Sequence, residues 1–485
     1  MNNPLIVIVG SGPSALAAAA AVVQNGYKPL VVDAAIGGTS PNPEEFQAEP
    51  SGQSRGKSKG SPGRKTWLGS DLPYRQYSKS RLKFQNPEPV PSYSFGGYSR
   101  IWGASCSFYR ELNEWPSKYG LIEEDSLLAA QLLGFKDASL QSTNLRHSNS
   151  AEELMQALSS SSFRQKYDVS FSNLAINVQP DAQDSCQYCN QCLTGCPYGA
   201  IWMSGNKLLE MREKGEIYFK SDYFLEEITV RLGRVTRLAF STGGLTHEIV
   251  NPDYCFLATG CISTAEILLN SKIISEIEFQ DSSTAFSGML RVGRHSSNTT
   301  GDHSLSQLWI TKRASGVHFQ IYSPSPDLEK KLVENFPQLR RIPKFTNWLT
   351  ERVIPVISYL PPENSGTLRI EKINQDLVVS AHGGLQARLK HHLQLAGMSF
   401  KLLSKGYIFP TFLSKIPDPG SGYHFGASLP MGKETNDLGQ LPGISNMSIV
   451  DASILPVIEA GSITPTVMAN AVRISRVICE RISSI

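Results

Sequence analysis

The first 33 residues constrain this chain more than any other stretch. An apolar run at residues 5–9 is followed by Gly10-Ser11-Gly12-Pro13-Ser14-Ala15, an alanine-rich run to Asn25-Gly26, a second apolar run at 29–32, and Asp33. The pattern predicts a strand, a tight turn, a helix, a second strand and an acid. A short β-branched run suits a strand buried on both faces. Gly10 permits the sharp turn, Gly12 lets a pyrophosphate approach the backbone, and Ala15 allows close packing of helix on strand. The helix N-terminus offers free N–H groups to phosphate, and Asn25-Gly26 is a helix stop. Asp33 follows the turn at the distance from which a carboxylate accepts ribose hydroxyls. The alternative is a glycine turn in an ordinary α/β domain, but the flanking elements favour dinucleotide binding. The motif by itself does not separate FAD from a nicotinamide dinucleotide.

At 485 residues the chain is long enough for two domains. Its formal charge of +3 gives no reason to expect nucleic acid as a partner. No apolar stretch reaches the 18 or so residues that span a bilayer. Residues 1–4 run directly into the first strand without a cationic leader, so a cytoplasmic location is expected.

Residues 39–65 break the composition with Ser, Pro, Gly, Lys and Arg and read as a solvated loop. Gly96 and Gly97, with Gly103 six residues on, allow close backbone approach to a flat ligand, which makes this stretch a second cofactor loop. Residues 121–168 read as polar surface helices with a turn at 145–150. Strands are expected at 217–219 and 228–230, with a hairpin at 235–240 and 247–250. A strand at 254–260 ending in Gly260 and a helix at 262–269 repeat the strand–glycine–helix pattern. Residues 286–420 read as a separate layer of antiparallel strands at 306–311, 317–322, 353–360, 367–370 and 377–380, with a helix at 327–339. Lys330, Lys331, Arg340, Arg341 and Lys344 lie near Phe336, Phe345 and Trp348. A solvated helix beside core aromatics is expected there, with contact to a membrane as the alternative.

Four of the eight cysteines form one run, Cys186, Cys189, Cys192 and Cys196 followed by Pro197. The spacing C-x2-C-x2-C-x3-C-P is that of bacterial ferredoxins. A [4Fe–4S] cluster would use Cys196 or a distant thiol such as Cys106, Cys255 or Cys261 as its fourth ligand, and a [3Fe–4S] cluster would use three of the four. Zinc commonly takes two ligand pairs across a longer loop and suits the run less well. Thiols that hold nothing remain the plain alternative.

The C-terminal stretch carries Tyr423-His424-Phe425-Gly426, Met431-Gly432, Asp451-Ala452-Ser453 and Gly461-Ser-Ile-Thr464-Pro465-Thr466. With Gly10-Ser11-Gly12, Gly97 through Ser99, Trp102 and Gly103, and Ala258 to Gly260, this set resembles the glucose–methanol–choline family of FAD oxidoreductases. Gly293-Arg294 with Asp302-His303 is similar to a further element of that family. The resemblance implies an α/β fold: an FAD-binding Rossmann-like domain and a discontinuous α+β substrate domain on an antiparallel sheet. The FAD-binding part would be mainly 1–285, with the cysteine insertion at 184–200. The substrate part would be mainly 286–420, and 421–485 would return to the FAD domain carrying the catalytic histidine.

The resemblance further implies that His424 is the base beside the flavin. The family's second histidine or asparagine is replaced by Thr464, which can share a hydrogen bond but cannot act as a base at neutral pH. Gly10, Ser11, Gly12, Pro13, Ser14, Ala15, Asp33, Gly97, Ser99, Trp102, Gly103, Ala258, Gly260, Asp451, Ala452, Pro465 and Thr466 would line the FAD. The expected reaction is oxidation of a CH–OH group of a sugar or other alcohol, with a protein or quinone as electron acceptor. Two alternatives stand beside it, a peroxide-forming oxidase without a cluster and a non-enzymatic electron-transfer protein.

Overall fold

A computed structural model describes residues 4–35, 80–85, 92–108, 115–142, 144–192, 196–292, 302–324, 328–335, 337–374, 376–410 and 414–483. The 39–65 loop, Phe336 and Gly293-Arg294 lie outside these residues. One sheet is wholly parallel. Its strand order is Met447–Ile449, Tyr254–Leu257, Ile6–Val9, Leu30–Val32 and Tyr218–Lys220. Ile6–Val9 sits at its centre and is buried along its whole length, which is why the run has no polar alternation. Helix Pro13–Gln24 covers this sheet and packs on the last helix, Thr464–Ser483. Ala15, Ala17, Ala18 and Ala19 are all fully buried, and side chains no larger than a methyl let helix, sheet and second helix approach closely. A three-stranded antiparallel meander, Phe224–Arg231, Arg234–Thr242 and Leu245–Val250, is tied to this core by Asn446, whose Oδ1 accepts from the Val235 N–H at 2.7 Å.

The second large sheet has six antiparallel strands in the order Tyr407–Ile408, Thr284–Arg291, Val353–Tyr359, His318–Tyr322, Ser306–Lys312 and Tyr167–Phe171. A third sheet orders Phe425–Gly426, Glu276–Asp281, Thr367–Ile373, Asp376–His382 and Leu82–Phe84. Both recruit strands from well outside 286–420.

The two faces of the six-stranded sheet differ in kind. Leu308, Ile310, Phe319, Ile321 and Val356 share an apolar core with Leu395, Met398 and Leu402 of helix Gly384–Leu402. The alternate positions Trp309, Thr311, His318, Gln320, Tyr322 and Tyr359 are buried on the opposite face. A row of polar and aromatic side chains on a buried face is what a binding wall requires and what a plain core avoids.

No element of its own is expected for 384–402, and the structure forms the 19-residue helix Gly384–Leu402 there. Residues 145–148 are irregular, in keeping with a turn, and helix Asn149–Ala157 takes the last two positions of 145–150, its first turn capped by Ser148 Oγ accepting from the Ala151 N–H. One expectation is corrected. Phe345 and Trp348 are not core aromatics: each is 43% exposed, and their rings stack on each other at 5.6 Å. Among the described residues no helix is long and apolar enough to cross a membrane.

Candidate active site

The first glycine loop is shaped by crowding on one side and open space on the other. Gly10 has φ +118°, and a Cβ there would collide with the Ala258 carbonyl at the end of the neighbouring strand. Gly12 caps helix Pro13–Gln24 without a side-chain hydrogen bond, and the space where its Cβ would project is empty. The helix therefore presents its first N–H groups beside a vacant backbone, the arrangement that receives a pyrophosphate. Pro13 and Ser14 form the first turn and Ala15 packs inward.

The second glycine loop lies on the first. A Cβ on Gly97 would come within 3.5 Å of the Gly12 Cα. Ser11 fastens the two loops: its Oγ accepts from the Gly96 N–H at 2.8 Å, and its carbonyl accepts from Ser204 Oγ at 2.8 Å. Ser99 Oγ donates to the Gly96 carbonyl at 2.6 Å. Trp102 Nε1 donates to the Trp202 carbonyl at 2.9 Å, and a Cβ on Gly103 would sit 3.7 Å from Tyr322 Oη. Asp33 is buried at the end of Leu30–Val32. Burial pushes its carboxyl up to about 6, against the pull of donors from Ala35 and Ser11.

Asp451 joins three segments. Its Oδ2 accepts from the Gly260 N–H at 3.0 Å and from Thr264 Oγ1 at 2.5 Å, and its Oδ1 accepts from the Ser453 N–H at 2.9 Å. It thus sits at the N-terminus of helix Cys261–Asn270. Ala452 meets the His424 segment through its carbonyl, which accepts from the Ala427 N–H at 2.9 Å. A Cβ on Gly426 would come 2.6 Å from that same carbonyl. Only glycine lets the segment lie this close.

His424 is held from both sides. The strand that follows it, Phe425–Gly426, pairs with Gln280 and Asp281, and the His424 carbonyl accepts from the Ser282 N–H at 2.9 Å. The ring stacks on Tyr359, with centroids 4.8 Å apart and planes 22° from parallel. Tyr423, in the left-handed region at φ 60°, turns its ring edge-on to Tyr98 of the second glycine loop at 5.4 Å. Tyr359 lies directly across the strands from His318. His318 shares a 2.8 Å hydrogen bond with Thr311 Oγ1 through Nδ1. A Cβ on Gly461 would come within 3.1 Å of the His318 ring, so the chain leading to Thr464 runs against that histidine. Ser462 Oγ donates to the Ser105 carbonyl at 2.5 Å, and Gln320 Nε2 donates to Ser105 Oγ at 3.1 Å. The indole N–H of Trp309, whose ring is 5.8 Å from that of His318, is buried without a hydrogen-bond partner.

The structure therefore gathers the two glycine loops, Asp451-Ala452, His424 and the polar face of the six-stranded sheet around one centre. Thr464 is half-buried at the first position of the last helix, with Pro465 and Thr466 buried behind it. His318, Tyr359, Trp309 and Gln320 were not singled out in the sequence. The alternation His318-Phe-Gln-Ile-Tyr322 was the available signal, because it places polar side chains at every second position of a strand.

The cysteine run folds as a loop in which Tyr188 and Asn190 have positive φ. All four thiols are free. Cys186 and Cys192 each feel Cys196 electrostatically, and Cys186 also feels Cys189. Burial raises both, Cys192 to about 11, while the Tyr188 N–H on Cys186 (3.4 Å) and the Ser304 donors on Cys192 pull toward thiolate. Among the described residues no three His, Cys, Asp or Glu side chains converge on a point as ligands of a single ion would. The spacing of the run, and not a convergence of its thiols, is what speaks for iron and sulfur here.

No protein-family model matches the sequence, and no curated protein matches it. Among solved structures, the chain is similar to the crystal structure of pyridoxine 4-oxidase from Mesorbium loti, with a TM-score of 0.64 and 15% sequence identity. The likeness covers 98% of this chain and 99% of that one. The two share a fold over their whole length.

Proposed function

We propose that this protein is an FAD-dependent oxidoreductase of the glucose–methanol–choline type that oxidises the CH–OH group of a neutral alcohol or sugar. The observation that carries the reading is the meeting of two things at one centre: an open dinucleotide cradle at Gly10–Gly12 and Gly97, and a histidine-bearing wall of His424, Tyr359 and His318. The shared fold with an enzyme named for oxidising pyridoxine supports it.

In this reading Gly12 and the first turn at Ser14 and Ala15 receive the pyrophosphate, and Asp33 accepts the ribose hydroxyls. Trp102, Gly103, Asp451, Ala452, Pro465 and Thr466 border the flavin. Bound FAD supplies the hydride acceptor. His424 takes the hydroxyl proton, since a neutral imidazole is a competent base near pH 7. The Tyr359 stack fixes its ring plane. Thr464 orients the substrate hydroxyl. His318, held through Thr311, faces the same centre and supplies a second ring nitrogen where Thr464 cannot act as a base. Trp309, Thr311, Gln320, Tyr322 and Tyr359 carry no fixed charge, so the wall selects neutral substrates with hydrogen-bonding groups.

Cys186, Cys189, Cys192 and Cys196 are proposed to hold a [4Fe–4S] or [3Fe–4S] cluster, which would supply one-electron chemistry. That favours a dehydrogenase serving a protein or quinone acceptor. The oxidase reading has one observation in its favour, the named activity of the structural neighbour.

The deciding experiment is anaerobic purification with FAD added back, followed by flavin, iron and labile-sulfide assays and flavin bleaching by a panel of neutral alcohols and sugars. One flavin per chain that bleaches with a panel member is expected. Absence of bound flavin after add-back overturns the proposal. Iron and sulfide that vanish in a Cys189→Ser/Cys192→Ser variant support the cluster, and their absence from the parent protein leaves the oxidase.

A further inference from the structure

Helix Gly384–Leu402 is apolar on two opposite faces. Leu395, Met398 and Leu402 are buried in the apolar core of the six-stranded sheet, His391 is within hydrogen-bond reach of Ser358 on that sheet, and Ala387 is buried on the same side of the helix. At about 100° per residue, Leu385, Leu389, Leu393 and Phe400, continued by Leu403, fall on the opposite side. They are 81%, 60%, 60%, 77% and 57% exposed. Single exposed leucines are ordinary, but a continuous stripe along five turns is not.

The charges beside the stripe say what covers it. The helix contains no acidic residue. Lys390 and Lys401 flank the stripe on one side, and Lys405 follows in the next turn. Arg388 and His392 flank it on the other, Arg388 already paired with Asp418 at 2.6 Å. Apolar centre and cationic margins are the features of a helix that lies in the plane of an anionic bilayer, with lysine stems reaching up to the headgroups. A second copy of the same stripe would set lysines against lysines, whereas anionic lipid neutralises them.

We propose that this helix docks the protein on an anionic lipid surface, apolar stripe inward. The proposal is independent of the reaction assigned to the site. The polar wall, on the other face of the sheet, stays turned away from the bilayer.

The test is flotation of the full-length protein with vesicles of phosphatidylcholine alone and of phosphatidylcholine with one quarter phosphatidylglycerol. At least tenfold more protein should float with the anionic vesicles, and 0.5 M salt should weaken this. Leu389→Asp/Leu393→Asp should abolish flotation without lowering the melting temperature, because both side chains point to solvent. Lys390→Glu/Lys401→Glu provides an independent reading of the charge term should the first variant fold poorly, and it should lose the preference for anionic vesicles. The proposal is overturned if the parent protein ignores anionic vesicles, if both variants float like the parent, or if the stripe instead holds a dimer that Leu389→Asp/Leu393→Asp dissociates.

Discussion

The ring of Tyr359 stacks on the ring of His424, 4.8 Å between centroids. The two residues are 65 positions apart, Tyr359 at the end of a strand of the six-stranded sheet and His424 just before strand Phe425–Gly426 of another. The stack therefore couples the antiparallel wall to the segment that returns to the parallel sheet. His424→Ala should lower the rate of flavin reduction by about 10²–10⁴-fold, the usual contribution of a positioned base, with flavin content unchanged. Tyr359→Leu should leave the base present but free to rotate, giving a smaller loss of about tenfold. Stopped-flow reduction measures both, and a His424→Ala protein with the parent rate would remove this histidine from the chemistry.

His318 is held by Thr311 and pressed by the chain at Gly461. If it shares the handling of the hydroxyl proton, His318→Gln should reduce kcat and shift the acid limb of the pH profile. Thr311→Val should mimic the shift with a loss of about tenfold or less, because only the orienting bond is gone. A change confined to KM would instead make His318 a substrate-contact residue.

Asp33 gives a pH test of the cradle. Its carboxyl is raised to about 6 by burial, so it loses its charge as pH falls below that value. An ionised acceptor for ribose is then lost, and FAD affinity should fall by about tenfold per pH unit below 6. Asp33→Asn should bind FAD more weakly at pH 8 and show no such slope. Fluorescence titration of the apoprotein at pH 5 to 8 is the measurement, and parallel slopes in the two proteins would rule out this role.

Asp281, beside the His424 segment, is buried with Oδ2 accepting from the Gly420 N–H at 3.0 Å and Oδ1 without a partner. Burial raises its carboxyl to about 7. Below about pH 4 it is protonated in both folded and unfolded chains. Between about 4 and 7 the unfolded chain ionises first, so stability is lost as pH rises, by at most about 4 kcal/mol, and levels off above 7. Asp281→Asn should flatten this descent in urea unfolding at pH 4.5, 6 and 7.5. An unaltered pH profile would show that the carboxyl is hydrated after all.

The cradle was legible in the sequence because its constraints are local. Gly10, Gly12 and Asp33 sit within one strand–helix–strand unit, and each is needed by a contact a few residues away or directly across the sheet. The wall was not. His318, Gln320 and Tyr322 announce a strand, but which face turns to the site is fixed by the partners Tyr359 and Thr311 and by the core on the other side. Helix Gly384–Leu402 was hidden for a related reason. Leucines on opposite faces leave no single apolar stripe for a periodicity to reveal. Phe345 and Trp348 misled because bulky aromatics beside a charged run are more often interior than exposed.

The parallel sheet takes its strands from residues 6, 30, 218, 254 and 447 onward, and helix Pro13–Gln24 packs on the helix that ends at Ser483. Tyr27 Oη and Ser483 Oγ are within 2.7 Å. During synthesis the N-terminal unit therefore leaves the ribosome with both edges of its two-stranded sheet unpaired until residues 218–257 follow, and with its alanine face uncovered until helix Thr464–Ser483 is made. The nascent N-terminal segment is thus expected to depend on holdase chaperones until that helix arrives.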